Sequence, residues 1–320
     1  MKKIETKIGK LILKSPIMTC SGTSGSSGEI NVLKNNKKVL NSLGAFVTKG
    51  VTLNAKAGNK EPRIVETRCG ILNSIGLQNK GVVNFINKEL PKLTNYNLPV
   101  IVNISAPSVS EFGKLTAKLL ELDVNSLISG IEINVSCPNI ESGGLAFGTN
   151  PKLVEKIVKT VKKNTNDRIT IITKLTPNIT DITETAKAAI YGGTDALSMI
   201  NTLKGMAINI DTMKPFLGNI AGGLSGPAIK PIGVFMVYNC FQNINECKNH
   251  DIPIIGMGGI TNFIDALEYI MAGASAVAVG TEWFVNNNVF VEIFEGIKKY
   301  LAENNMDFNE LIGIAQTSRQ

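Results

Sequence analysis

Polar residues stand directly after short apolar runs along this sequence, and their types suggest what they could do together. In chain order they are Ser21 with Gly22, Lys49 with Gly50, Asn103, Asn134 with Cys137 and Asn139, and Lys174. Asn201 with Thr202, Gly258 with Gly259, and Gly280 with Thr281 follow. A lysine ending an apolar run is costly to bury without a partner, which favours a functional placement over an incidental one. An asparagine amide pairs with both the C=O and the N–H of an imide, so several asparagines and two lysines on one rim suit a planar, anionic, hydrogen-bonding molecule. The late glycine pairs, in GMGGI and VGT, permit backbone N–H groups to approach a phosphate closely. Either pair alone would signify only a tight turn. A buried cysteine such as Cys137 is ordinarily inert packing and becomes a base only where its thiolate is accessible.

Other chemistries are excluded by what the sequence lacks. The only histidine, His250, sits in the polar stretch ECKNHD, so neither a Ser-His-Asp triad nor a multi-histidine metal site is expected. Five cysteines, Cys20, Cys69, Cys137, Cys240 and Cys247, are odd in number and irregular in spacing, which suggests free thiols and no metal ligand set. The net charge of +7 comes from scattered lysines and not from a basic block with interleaved aromatics, so nucleic acid is not an expected partner. No run approaches the ~20 apolar residues of a membrane helix, and the first residues lack a signal-like apolar stretch, so a cytoplasmic protein is expected.

These residues need a frame that brings them to one rim. Eight apolar or β-branched runs recur: PIMTC, AFVTKG, VIVNIS, GIEINV, TIITKL, ALSMI, PIIGMG and AVAVG. Segments of helical period separate most of them, the pattern of a parallel sheet covered by helices. After Pro177, Asp181 can cap a helix with Glu184 three residues on, Ile182, Ala186, Ala189 and Ile190 share one face, and Gly192 and Gly193 stop it. TNFIDALEYIMAGA repeats the design, with Thr261 or Asn262 as cap and Gly273 as terminator, before a last strand beginning at Ala276. Ser21–Gly28 and Gly218–Gly226 read as long loops, and no linker divides the chain. The expected fold is α/β, a single (β/α)8 TIM barrel over residues 1–320, whose reactive residues stand at the C-terminal strand ends.

The motifs NVSCPN, NSIGLQNKG, INTLKGMAI, GGLSGPAIKP and IIGMGGI resemble the signatures of class 1 dihydroorotate dehydrogenases over nearly the whole chain. GGLAFGT and GGLSGPAIKP resemble the NAD-linked class 1B branch, catalytic subunit, more than the fumarate-linked class 1A branch. The resemblance implies oxidation of dihydroorotate to orotate in pyrimidine biosynthesis, with Cys137 taking the C5 proton while the C6 hydride passes to one FMN per chain. It implies FMN contacts from Ser21, Lys49, Gly50, Asn103, Asn134 and Lys174. Ile200, Gly226, Gly258, Gly259, Gly280 and Thr281 complete that set. Substrate contacts implied are Lys49, Asn73, Ser74, Ile75, Gly76 and Leu77, with Asn134, Asn139, Asn201 and Thr202. The loop from Ser142 to Thr149 is expected to close over substrate.

A class 1B resemblance further implies a partner subunit carrying FAD and an iron–sulfur cluster, assembled on a homodimer core into a heterotetramer. Two readings compete with it: a class 1A-like homodimer that returns electrons to fumarate, and a barrel that binds FMN or another phosphorylated ligand without turnover. The sequence departs from the family at Ser27, Arg68 and Ala106, where an aromatic, a proline and a glycine are usual.

Overall fold

The computed structural model describes residues 4–25, 36–136, 138, 139 and 145–316. Eight parallel strands form its centre: β1 Ile17–Thr19, β2 Phe46–Val47, β3 Val100–Ile104, β4 Ile128–Asn134, β5 Thr170–Lys174, β6 Ala196–Met199, β7 Ile254–Met257 and β8 Ala274–Val279. They are hydrogen-bonded in the order β1-β8-β7-β6-β5-β4-β3-β2. A parallel bridge from Met18 to Ala45 joins β1 to the chain entering β2 and closes the ring. The (β/α)8 barrel expected from the eight runs is the observed fold.

Parallel neighbours need a crossover, and a helical segment follows every strand. Pro151–Lys163 shows why the sequence makes one: Asn150 caps it by accepting the Leu153 N–H, and proline occupies the first turn. Val154, Ile157, Val158 and Val161 then form its buried stripe. Ile182–Tyr191 and Phe263–Ala272 are capped by Asp181 and Asn262. Asp181 accepts from the Thr183 N–H, without the reciprocal bond expected from Glu184; a complete capping box occurs instead at Asp307 and Glu310. The last strand begins at Ala274, two residues before the expected Ala276, because Gly273 turns at φ +124° and frees Ala274 to pair with Ile254.

Side chains alternate between two cores. Those pointing outward from the strands pack against the helices in the larger cluster, which includes Ile131, Ile133, Ile171 and Val277. Those pointing inward at the N-terminal end, among them Ile101, Ile172, Ala196, Ile255 and Ala276, form a second, wholly apolar cluster. The hairpin Thr6–Ile8 and Leu11–Leu13 plugs that end, adding Ile8 and Leu13 to this cluster. Lys10 fixes the plug, its backbone N–H donating to Thr170 Oγ1 at 3.1 Å and its Nζ to the Ile169 carbonyl at 2.9 Å.

The opposite end carries a four-stranded antiparallel sheet in the order Leu203–Gly205, Gly222–Ser225, Gly70–Asn73, Ile64–Thr67. This corrects the expectation of a loop over Gly218–Gly226. Gly222–Ser225 is a strand because neighbours on both sides pair with its backbone. Glycine hides it from a propensity reading, yet glycine is needed there: a Cβ at Gly223 would collide with Thr202. Of Ser21–Gly28, residues 21–25 are described and form a turn.

Candidate functional site

Between the strand ends and the antiparallel sheet lies a cavity of about 710 Å³, within the size range of ligand and cofactor sites. Its floor is polar. Lys174, the last residue of β5, is buried there, with Nζ 3.1 Å from Ser21 Oγ, 3.6 Å from Cys20 Sγ and 3.9 Å from Glu132 Oε2. Burial alone would lower its pKa; the Cys20 thiol and the Glu132 carboxylate outweigh that and hold the ammonium above the ordinary lysine value. Asn103, from β3, donates its amide Nδ2 to Glu132 Oε2 at 2.6 Å, and Ser198 Oγ donates to Glu132 Oε1 at 2.9 Å.

The asparagines are oriented by partners that leave one choice. The Ser136 N–H donates to Asn134 Oδ1 at 3.1 Å, so Asn134 turns its amide N–H₂ elsewhere, and that group has no partner among the described residues. Asn201 donates to Ser136 Oγ at 2.9 Å and Asn134 Oδ1 at 3.2 Å, while its own Oδ1 accepts the Thr202 N–H at 2.8 Å. Asn73 donates to the Gly223 carbonyl at 3.2 Å, tying the wall of the cavity to the antiparallel sheet. Within that wall Gly76 and Leu77 both take positive φ, +72° and +57°, conformations an apolar side chain such as leucine rarely adopts. Non-glycine strain of this kind concentrates at ligand sites.

The cavity mouth at β7 and β8 is made of backbone. Gly258 and Gly259 turn at φ +120° and +70°, and a Cβ on Gly259 would come within 2.8 Å of the Gly226 carbonyl oxygen. Among the described residues the N–H groups of Gly259 and Gly280 find no acceptor in the protein. Two free N–H groups on adjacent strand-end turns are what a phosphate needs. The turn is braced from behind: Asp265 accepts the Thr261 N–H at 2.9 Å, and Lys230 joins Asp265 at 2.8 Å and Glu268 at 2.7 Å. Burial raises the Asp265 carboxyl, but the hydrogen bonds from Lys230 and Thr261 win and hold it below the ordinary range.

The structure gathers the residues read from the sequence as follows. Ser21, Lys49, Gly50, Asn103, Asn134 and Lys174 all line this cavity. So do Ile200, Gly226, Gly258, Gly259, Gly280 and Thr281. The wall from Asn73 through Ser74, Ile75, Gly76 and Leu77, with Asn201 and Thr202, completes it. Cys137 lies outside the described residues, as does the side chain of Asn139. The backbone at Pro138–Asn139 pairs antiparallel with Leu145–Ala146, so the chain on either side of the undescribed part of the 142–149 loop is joined by strand pairing.

Sequence reading missed Cys20 and Glu132. Glu132 had a signal: in GIEIN, Gly130, Glu132 and Asn134 alternate with isoleucines that face the helices, so a carboxylate pointed into the barrel. His250 is exposed, as expected, with its ring 5.7 Å from that of Phe241. Cys240 and Cys247 are buried free thiols, and burial pushes Cys247 up to about 12. Among the described residues no cluster could hold a metal ion, and no helix is long and apolar enough to cross a membrane.

The C-terminal face of this β/α barrel offers oriented asparagines, a buried lysine and, among the described residues, free glycine N–H groups, donors and charges suited to a planar, phosphate-bearing ligand beside a small polar one. The chain belongs to the dihydroorotate dehydrogenase family, whose model matches residues 3–301. A relative from Thermoanaerobacter pseudethanolicus is 52% identical over 311 residues, covering 97% of this chain and 98% of its own. Relatives from Alkaliphilus oremlandii and Geobacter sp. are 48% and 45% identical, covering 96% and 94% of this chain and the same shares of their own. All three are named dihydroorotate dehydrogenase B (NAD(+)), catalytic subunit, the branch that the GGLAFGT and GGLSGPAIKP motifs resemble.

Proposed function

We propose that this chain is the catalytic subunit of an NAD-linked dihydroorotate dehydrogenase, oxidising dihydroorotate to orotate with FMN held in the strand-end cavity. The observation that carries this is the pairing, in one cavity, of a phosphate cradle at Gly259 and Gly280 with fixed asparagines around a buried lysine. The free N–H groups of the two glycines suit the phosphate, and Lys174, Ser21 and Asn103 suit the edge of a flat heterocycle. When bound, FMN supplies a two-electron acceptor for the C6 hydride of the substrate.

The protein's own groups do the rest. Cys137 is the base that removes the C5 proton; an unperturbed thiol titrates near pKa ~8.5, so turnover rises as the pH climbs toward that value. The amide of Asn134 gives N–H donors to a substrate carbonyl or carboxylate, and Asn201 keeps Asn134 in that orientation. Lys49, Asn139, Thr202 and the wall from Asn73 to Leu77 complete the substrate pocket, the lysine supplying charge to the carboxylate. Electrons then leave to NAD through a partner subunit that carries FAD and an iron–sulfur cluster, in a heterotetramer built on a homodimer of this chain.

The test is to express the chain with and without its candidate partner subunit and follow orotate formation with NAD. The reading requires NAD reduction only with the partner. Orotate formation by the chain alone with fumarate would select the class 1A-like alternative, and a flavin-loaded protein inert with every acceptor would select a binding barrel.

A further inference from the structure

Glu132 is a carboxylate buried inside the barrel one layer below the cavity, and the mechanism above gives it no task. Each of its two oxygens accepts one hydrogen bond, Oε2 from the Asn103 amide at 2.6 Å and Oε1 from the Ser198 hydroxyl at 2.9 Å, with the Lys174 ammonium 3.9 Å away. A carboxylate facing an ammonium offers only acceptors, so the Asn103 group that meets it must be the N–H₂. The other end of that amide, Oδ1, is thereby turned toward Gly50; a Cβ built on Gly50 would stand 3.1 Å from it. Asn103 and Gly50 both line the cavity. The carboxylate thus decides, from below, whether the cavity meets an acceptor or a donor at this point.

We infer that Glu132 is a positioning residue: it fixes the Asn103 amide so that a carbonyl oxygen faces the ligand, matched to an N–H on the imide edge of the flavin ring. The inference rests on the reading of FMN as the cavity's cofactor and adds to it the polarity of one contact. A buried acidic residue kept only for packing would be replaced by an apolar side chain without loss of stability. Here the carboxylate's hydrogen bonds select one of two orientations of an amide that is otherwise free to turn.

The experiment measures the FMN dissociation constant, by the fluorescence of released flavin, for wild type and three variants, with melting of the flavin-free proteins as the check on folding. Glu132→Gln can still accept from Asn103 with its carbonyl and donate its own amide to Ser198 Oγ, so its FMN affinity stays within about threefold of wild type. Asn103→Asp sets two carboxylates against each other and weakens binding by about tenfold or more. In the double variant Asn103→Asp with Glu132→Gln, the glutamine amide donates to the aspartate, whose second oxygen faces the ligand as an acceptor, and most of the affinity returns. A folded double variant no better than Asn103→Asp, or a folded Glu132→Gln as weak as Asn103→Asp, overturns the inference. Failure of wild type to bind FMN at all would instead overturn the cofactor reading beneath it.

Discussion

The two ends of this barrel are built from the same eight strands to opposite rules. At the N-terminal end Ile8, Leu13, Ile101, Ile172, Ala196 and Ile255 pack without a polar atom among their side chains. A few residues further along the same strands, Asn103 and Ser198 hydrogen-bond to Glu132, Lys174 pairs with that carboxylate at 3.9 Å, and Asn134 is held by Asn201, all around an open space. One end converts buried apolar area into stability; the other keeps a lysine and a carboxylate out of water for what they can hold. The difference shows that stability and chemistry are separable here by position along a strand.

The sharpest way to break that comparison is at the proposed base. Cys137→Ser is expected to lower turnover near neutral pH by about 10²-fold or more, the usual worth of a positioned base, while FMN content and melting temperature stay as in wild type. Steady-state rates and flavin absorbance on one preparation check this, and undiminished turnover would remove the base assignment. The reverse substitution, in effect, is Ile172→Ala in the inner apolar cluster, which should cost about 2–5 kcal/mol in urea unfolding and leave FMN affinity per folded molecule unchanged. Should Ile172→Ala instead abolish flavin binding with little loss of stability, the two ends would not be separable.

What the sequence revealed follows the same division. The apolar strands were legible because eight short runs alternate with helical segments, and the polar residues after them could be read off as one rim. Glu132 was lost inside an apolar run, where only the alternation with Ile131 and Ile133 marks it as facing inward. Gly222–Ser225 was lost because its pairing partners at 70–73 and 203–205 are distant in sequence and glycines carry no strand signal. The orientation of Asn134 and Asn103 could not be read at all, since it depends on Ser136 and Glu132 at specific distances.

Smaller effects sharpen the contrast. Lys174→Ala removes a buried cation from the cavity floor and should weaken FMN binding by about tenfold, read by fluorescence titration; an unchanged affinity would mean that the ammonium serves only the barrel interior beneath the cavity. Asp265, behind the glycine turns, gives a modest pH effect. Its folded pKa lies below the unfolded value, so its contribution to stability is present above that unfolded value and is lost as the pH falls through the folded one. Between about pH 5 and pH 3 wild type should therefore lose melting temperature faster than Asp265→Asn. Equal slopes would show that Lys230 and Thr261 do not hold the carboxylate in solution.

The central claim, that the strand-end cavity holds a flavin which dihydroorotate reduces, is tested most directly by mixing the flavin-loaded protein with dihydroorotate under anaerobic conditions, with no electron acceptor present. Rapid loss of the flavin's visible absorbance, with release of orotate, is the predicted result. A flavin that stays oxidised in the presence of saturating dihydroorotate would contradict it.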